Sequence, residues 1–294
     1  SGATREEMYA FAEMVGKAEK AVFVWSMGIT QHECGEDNVR AIINLALMKG
    51  FVGREGCGLM PIRGHSGVQG GAEMGCYSTV FPGGRKINEE NAQLMSEYWG
   101  FNVSPQTGLI TSEMIAAAAE NKLDVLFSIG GNFLEVMPDP DYVETALKNI
   151  PLRVHMDIVC SNQMLLEPTE TVIILPATTR YEVPGGVTET STERRVIFSP
   201  EIPGSRVAEA RPEWEVLMEL ARRVHPELAD KLQFESTAEM RQEIAKVIPQ
   251  YAGIQHLKEQ GDQFQYGGSH LCFGWKFPTP DGKAHFSVLS PSFD

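Results

Sequence analysis

The chain has 294 residues, 43% of them hydrophobic, and a formal net charge of −14 at pH 7. That size and apolar share suffice for one large α/β domain or two smaller ones with a real core. The acidic balance, with no basic run, excludes nucleic acid and an anionic membrane surface as expected partners, and no apolar stretch approaches the ~18 residues needed to span a bilayer.

Residues 1–7 are polar and acidic and do not read as a signal peptide, so a cytoplasmic setting is expected. Thr4-Arg5-Glu6-Glu7 has the pattern of a capping box, with Thr4 at the N-cap and Glu7 at N3. Met8, Phe11, Ala12 and Val15 then recur at helical spacing, which predicts an amphipathic helix over 5–19. Residues 21–25 predict a short buried strand ending at Ser26-Met27-Gly28. A helix follows from about Glu36, with Val39, Ile42, Ile43, Ala46 and Leu47 inward and Gly50 as its stop. Strand, polar turn and helix make half of a βαβ unit. Ligands of open α/β sheets sit at the carboxyl ends of strands, and residues 27–31 occupy such an end.

Residues 61–75 hold five glycines in fifteen positions, together with Arg63, His65, Ser66, Gln69 and Glu73. Glycine lets backbone approach a ligand closely, and an arginine set among glycines offers a rigid fork of donors for an anion. The stretch reads as a loop over a polar, anionic ligand, or as a flexible surface linker. Chemically varied polar residues between two well-patterned segments favour the ligand.

Residues 76–108 look polar and irregular. A helix is expected over 112–121, a strand over 123–129, a helix over 139–149, and strands over 152–158 and 171–175. This alternation predicts a parallel sheet with helices on both faces. Residues 177–211 look loop-rich. Pro212 is expected at the first position of a helix with Trp214, Leu217, Met218 and Ala221 inward. Ser236 and Glu239 suggest a second capping box, with Met240, Ile244 and Val247 facing in. Beyond Pro249 no periodicity is clear. The expected division is 1–60 as the C-terminal part of one α/β domain, 61–235 as a second, cofactor-binding α/β domain, and 236–294 as a helix and irregular tail.

Gly130-Gly131-Asn132 directly follows an apolar strand, where small residues let a phosphate or ribose approach and a following helix would add its N-terminal dipole. Asp157 ends the next strand. A carboxylate there can accept from the N1–H and N2 amine of guanine, or it caps a helix beginning near Ser161. The five cysteines, 34, 57, 76, 160 and 272, lie at least nineteen positions apart. Iron–sulfur and zinc sites use tighter clusters, so reduced, mostly buried thiols are expected and no metal ligand is assigned. No HExxH, GxSxG, P-loop or GxGxxG pattern occurs.

A family resemblance adds to this reading. Trp25-Ser26-Met27-Gly28-Ile29-Thr30-Gln31-His32, Asn38-Val39-Arg40-Ala41-Ile42-Ile43-Asn44-Leu45-Ala46-Leu47 and Gly50-Phe51-Val52-Gly53-Arg54-Glu55-Gly56-Cys57-Gly58 resemble segments of the molybdopterin oxidoreductases. So do Pro61-Ile62-Arg63-Gly64-His65, Val68-Gln69-Gly70, Met74-Gly75, Ile173-Ile174-Leu175-Pro176 and Pro278-Thr279-Pro280-Asp281-Gly282-Lys283-Ala284. The ordered series spans nearly the whole chain and is most similar to formate-dehydrogenase-like alpha subunits. It implies the Rossmann-like parallel sheets of that fold and a bis-molybdopterin guanine dinucleotide carrying molybdenum or tungsten. The cofactor contacts it implies are Met27, Gln31, Arg63, Gln69, Gly130, Asn132, Met156, Asp157, Glu182 and Gly185, with Arg63 and His65 as catalytic candidates.

The match has departures. Val183-Pro184 replaces a more usual polar pair, and His65 stands where relatives often carry an amide. Arg194-Arg195 fits the family's segment or plain solvated charge. The cysteine-rich iron–sulfur segment, the Cys or selenocysteine metal ligand and the C-terminal β-barrel-like domain of relatives have no counterpart here. The expectation is therefore the central part of a formate-dehydrogenase-like oxidoreductase, inactive alone. Its expected partners are the missing N- and C-terminal domains of the same subunit and a small-molecule substrate, with a homo-oligomer as a further expectation. The alternatives are a non-catalytic nucleotide-binding or assembly module on the same scaffold, and an NAD-dependent dehydrogenase, which the lack of GxGxxG disfavours.

Overall fold

The computed structural model describes residues 2–65, 67–207 and 209–290. Ser66 of the glycine-rich stretch lies outside the described residues. The chain divides into two compact units. One comprises residues 1–69, 190–196 and 264–294, the other 70–189 and 197–263.

In the first unit the helix Arg5–Lys17 starts on the expected capping box, with the Thr4 hydroxyl accepting from the Glu7 N–H and the Glu7 carboxylate accepting from the Thr4 N–H. The strands Val22–Trp25 and Gly58–Pro61 pair in parallel, with Val22 opposite Gly58 and Trp25 opposite Pro61. The helix Gly35–Met48 connects them. Val15, Ala46 and Phe51 form the buried centre, and Phe23 and Leu59 pack against it. The strand is not buried as expected, since Val22 and Val24 are exposed. Side chains alternate across a strand, and only the face carrying Phe23 meets the helices.

The second unit is built on three parallel strands, Val125–Ile129, Leu152–Asp157 and Thr171–Pro176, with the middle one paired on both sides. The helices Thr111–Ala119 and Pro140–Lys148 pack against them through Ile115, Ala118, Leu126, Val143, Ala146 and Leu147. This is the parallel-sheet α/β architecture that strand–helix alternation implied.

Several segments differ from expectation. Residues 76–108 contain the helix Glu89–Trp99, capped by the Asn88 side chain and stopped by Gly100 at φ +71°. It escaped periodicity because only Ala92 and Met95 of its face are buried. The glycine-rich stretch contains a short helix, Val68–Glu73. Residues 177–211 contain the strands Val187–Thr190 and Arg195–Ser199. Pro212 is the N-cap of the helix Glu213–Val224 rather than its first residue, because its ψ of 138° is not helical, and Leu217 is exposed. In the helix Thr237–Val247 the Ser236 hydroxyl accepts from the Glu239 N–H, but the Glu239 carboxylate reaches the Glu235 N–H instead of closing the box. None of the five cysteines is buried, and Cys76 and Cys160 are exposed.

Candidate functional site

The second unit brings its candidates to the carboxyl ends of adjacent parallel strands. Gly130 and Gly131 follow Ile129 with φ of +67° and +74°, a conformation that favours glycine. Nothing lies within 4 Å of where a side-chain carbon on either would sit, so the turn faces open space. The Gly130 N–H donates to the Met156 carbonyl at 2.9 Å and ties the turn to the next strand. Met156 itself is fully buried, so only its backbone can serve the turn.

The turn is held from beneath by Gln163, which is 1% exposed. Its Nε2 donates to the Gly131 carbonyl at 2.9 Å and its Oε1 accepts from the Phe133 N–H at 2.9 Å. The Ser128 hydroxyl donates to the Gly130 carbonyl at 3.3 Å. Asn132 Nδ2 donates to Asn162 Oδ1 at 2.6 Å, while Asn132 Oδ1 is buried with no hydrogen-bond partner among the described residues. The expected helix dipole is not there: the following helix is only Phe133–Val136, and Gln163 occupies its first N–H.

Asp157 is half-buried at the end of the middle strand. Its Oδ1 accepts from the Ile158 N–H at 2.7 Å, and its other oxygen takes no hydrogen bond among the described residues. It caps its own turn. The short helical turn Asn162–Leu165 has Ser161 at its N-cap, without a side-chain bond.

Glu182 and Gly185 belong to a tightly bonded turn. Glu182 Oε2 accepts from the Thr179 N–H at 2.9 Å and the Thr179 hydroxyl at 2.8 Å. These bonds, the backbone one foremost, hold its carboxyl below the usual range. The Gly185 N–H donates to Glu201 Oε2 at 3.2 Å, and its carbonyl accepts from the Thr237 hydroxyl at 3.2 Å. Val183 is buried, so that departure from the family's polar pair serves packing.

In the first unit Met27 begins a single helical turn, Met27–Thr30, at the end of the first strand. Its methyl lies 3.3 Å from where a side-chain carbon on Gly64 would sit, so the glycine allows Met27 to cover the loop backbone. Gln31 Nε2 lies 4.0 Å from the Met27 sulfur. A cavity of about 490 Å³ is lined by Trp25, Arg54, Arg63, Gln69, Arg194 and His270 among others. Arg63 Nη2 donates to Gln69 Oε1 at 3.0 Å, and Gln69 Nε2 donates to the Tyr266 hydroxyl. Arg194, at φ +62°, donates to the Tyr266 and Gly268 carbonyls. Burial pushes its pKa down. Three guanidinium groups and one carboxylate, Glu193, face this cavity, which suits an anionic ligand. His65 is exposed and is not part of the lining.

Sequence reasoning missed Gln163 and Tyr266. Neither carries a local signal, because their partners lie 30 and 197 positions away. Among the described residues no group of three or more His, Cys, Asp or Glu side chains comes together as a metal site. No helix among them is long and apolar enough to cross a membrane.

Parallel strands flanked by helices, with an open glycine turn and a carboxylate at adjacent carboxyl ends, define an α/β protein whose candidate site lies at its strand ends. The chain belongs to the molybdopterin oxidoreductase family: residues 5–223 match the family described as Molybdopterin oxidoreductase. That family carries a molybdopterin cofactor. The chain is 34% identical over 292 residues to the F420-dependent formate dehydrogenase subunit alpha of Methanocaldococcus jannaschii, covering 96% of this chain and 41% of that protein. It is 33% identical to the F420-dependent formate dehydrogenase 2 subunit alpha of Methanococcus maripaludis, over 98% of this chain and 42% of that protein. It is 31% identical to the Probable oxidoreductase YjgC of Bacillus subtilis, over 97% of this chain and 28% of that protein.

Proposed function

We propose that this chain is the central cofactor-binding part of a formate-dehydrogenase-like oxidoreductase that uses bis-molybdopterin guanine dinucleotide with molybdenum or tungsten. The observation that carries the reading is the open Gly130-Gly131 turn beside Asp157, whose second oxygen takes no bond among the described residues. Asn132 Oδ1 at the same turn, buried and without a partner among the described residues, is the kind of polar atom a bound nucleotide satisfies. The names of the relatives support the substrate class.

In this reading Asp157 accepts the N1–H and N2 amine of guanine, and Gly130 and Asn132 meet the ribose or phosphate. The Met156 carbonyl holds Gly130 in place, and Glu182 and Gly185 shape a neighbouring turn. In the first unit Met27, Gln31 and Gln69 line the pterin side. Arg63 holds an anionic substrate such as formate, and His65 is the candidate proton carrier. The bound cofactor supplies the metal centre for two-electron chemistry. The chain's own residues bind, orient and exclude water. Further domains of the same subunit are its proposed partners, and the 294-residue chain alone is expected to be inactive.

The test is metal and pterin analysis of the complete gene product, with formate-dependent dye reduction. Bound pterin with turnover supports the reading. A folded protein that carries guanine nucleotide but no pterin would move it to a non-catalytic nucleotide-binding module.

A further inference from the structure

We infer that Gln163 is the positioning residue that sets the Gly130–Phe133 turn in its nucleotide-binding conformation. The inference rests on the functional reading above. Gln163 is 1% exposed and lies 30 positions from the nearest residue contacted by its Oε1. Its side-chain amide meets two demands at that point. One backbone carbonyl, that of Gly131, needs a donor, and one backbone N–H, that of Phe133, needs an acceptor. A primary amide supplies one of each on a single planar head.

The position of that head is itself fixed. Arg153 is 0% exposed, and its Nη1 donates to the Gln163 carbonyl at 3.1 Å. Its Nη2 donates to the Leu166 carbonyl at 2.7 Å. A buried guanidinium on the middle strand thus anchors the backbone from which Gln163 reaches the turn at the end of the neighbouring strand. Gln163 takes both inward backbone groups, while Gly130 and Gly131, having no side chain, hold left-handed φ without strain and present open space. Asn132 Oδ1 lies at the same turn, buried and without a hydrogen-bond partner among the described residues.

Chemistry separates Gln163 from its nearest substitutes. Methionine has similar length and neither hydrogen bond. A glutamate carboxylate keeps the acceptor for Phe133 but sets a negative oxygen against the Gly131 carbonyl. Once protonated, it again has one donor and one acceptor and can replace the amide.

The test titrates the apo form of the complete gene product with guanosine 5′-diphosphate. Wild type is expected to bind, and Gln163→Met is expected to bind ~10-fold more weakly or worse, the value of one lost charge-free pair of bonds. Gln163→Glu is expected to be weak at about pH 8 and to recover toward the wild-type value, measured at each pH, as the pH falls to about 5.5. A role confined to stability does not produce that recovery in affinity. If wild type binds and both variants bind equally well at every pH, the inference fails while the nucleotide site stands. If wild type does not bind guanosine 5′-diphosphate, the functional reading fails and this inference with it. If Gln163→Met does not fold, the pH profile of Gln163→Glu alone decides, and a flat profile overturns the proposal.

Discussion

Arg63 donates through Nη2 to the amide oxygen of Gln69 at 3.0 Å, so one edge of the guanidinium is fixed by a residue six positions on in the same glycine-rich stretch. The Gln69 amide is in turn held by the Tyr266 hydroxyl. The cation is therefore aimed into its cavity rather than swinging on a flexible stem. A fork held in this way is suited to an anion.

The first prediction follows from that geometry. In the complete gene product Arg63→Lys keeps the charge and loses the planar fork. Turnover per bound metal is expected to fall by about 1–3 kcal/mol of transition-state stabilisation, with cofactor content nearly unchanged. Steady-state kinetics with metal and pterin content measured on the same preparation check it, and unchanged turnover would make Arg63 a loop residue only.

The second prediction concerns Asp157. If its second oxygen reads guanine, Asp157→Ala removes a charge-assisted pair worth about 1.5–3 kcal/mol. Cofactor occupancy at limiting supply is expected to drop roughly tenfold or more. Full occupancy would leave Asp157 as a cap on the Ile158 N–H.

The third prediction concerns pH. His155 is 0% exposed, and neither ring nitrogen has a hydrogen-bond partner among the described residues. Burial first, then the charge of Arg153, pushes its pKa below the ordinary value. The neutral ring is the folded form, so its contribution is complete above the unfolded value of about 6.5 and is lost as the pH falls from there through the folded pKa. Stability is expected to decline in acid by up to about 1.4 kcal/mol per pH unit from this group. Denaturant melts from neutral to acidic pH check it, and His155→Leu is expected to flatten the slope. An equal slope in both proteins would assign the acid sensitivity elsewhere.

The fourth prediction contrasts two glycines. Gly186 has φ +70°, and a side-chain carbon there would lie 2.6 Å from the Phe198 ring and 2.7 Å from the Ser199 carbonyl. Gly130 has φ +67° with open space around it. Gly186→Ala is expected to cost about 2–5 kcal/mol from strain and overpacking together, and Gly130→Ala only the strain of about 1–2 kcal/mol. Thermal melts read the difference. Equal losses would mean that the Gly186 neighbours yield freely.

Local chemistry alone determined much of this protein. The Thr4–Glu7 capping box, the helix Thr111–Ala119, the strand Val125–Ile129 and the Gly130-Gly131 turn all rest on signals within a few residues of one another. Periodicity and turn chemistry act over that range, so they can be read without a fold. The helix Glu89–Trp99 fell outside that range of legibility, since its two buried residues make no long apolar stripe and its Asn88 cap and Gly100 stop carried the signal instead. The exposure of Val22 and Val24 was likewise not legible, because burial depends on which face of a strand meets a helix. Tertiary structure alone decided how the candidate residues are held. It turned Gln163 toward Gly131 and Phe133, set Tyr266 on Gln69, and spent the Phe133 N–H that a short helix would otherwise have offered a phosphate. A buried polar group must find its partner wherever the fold brings one, and sequence distance carries no information about that.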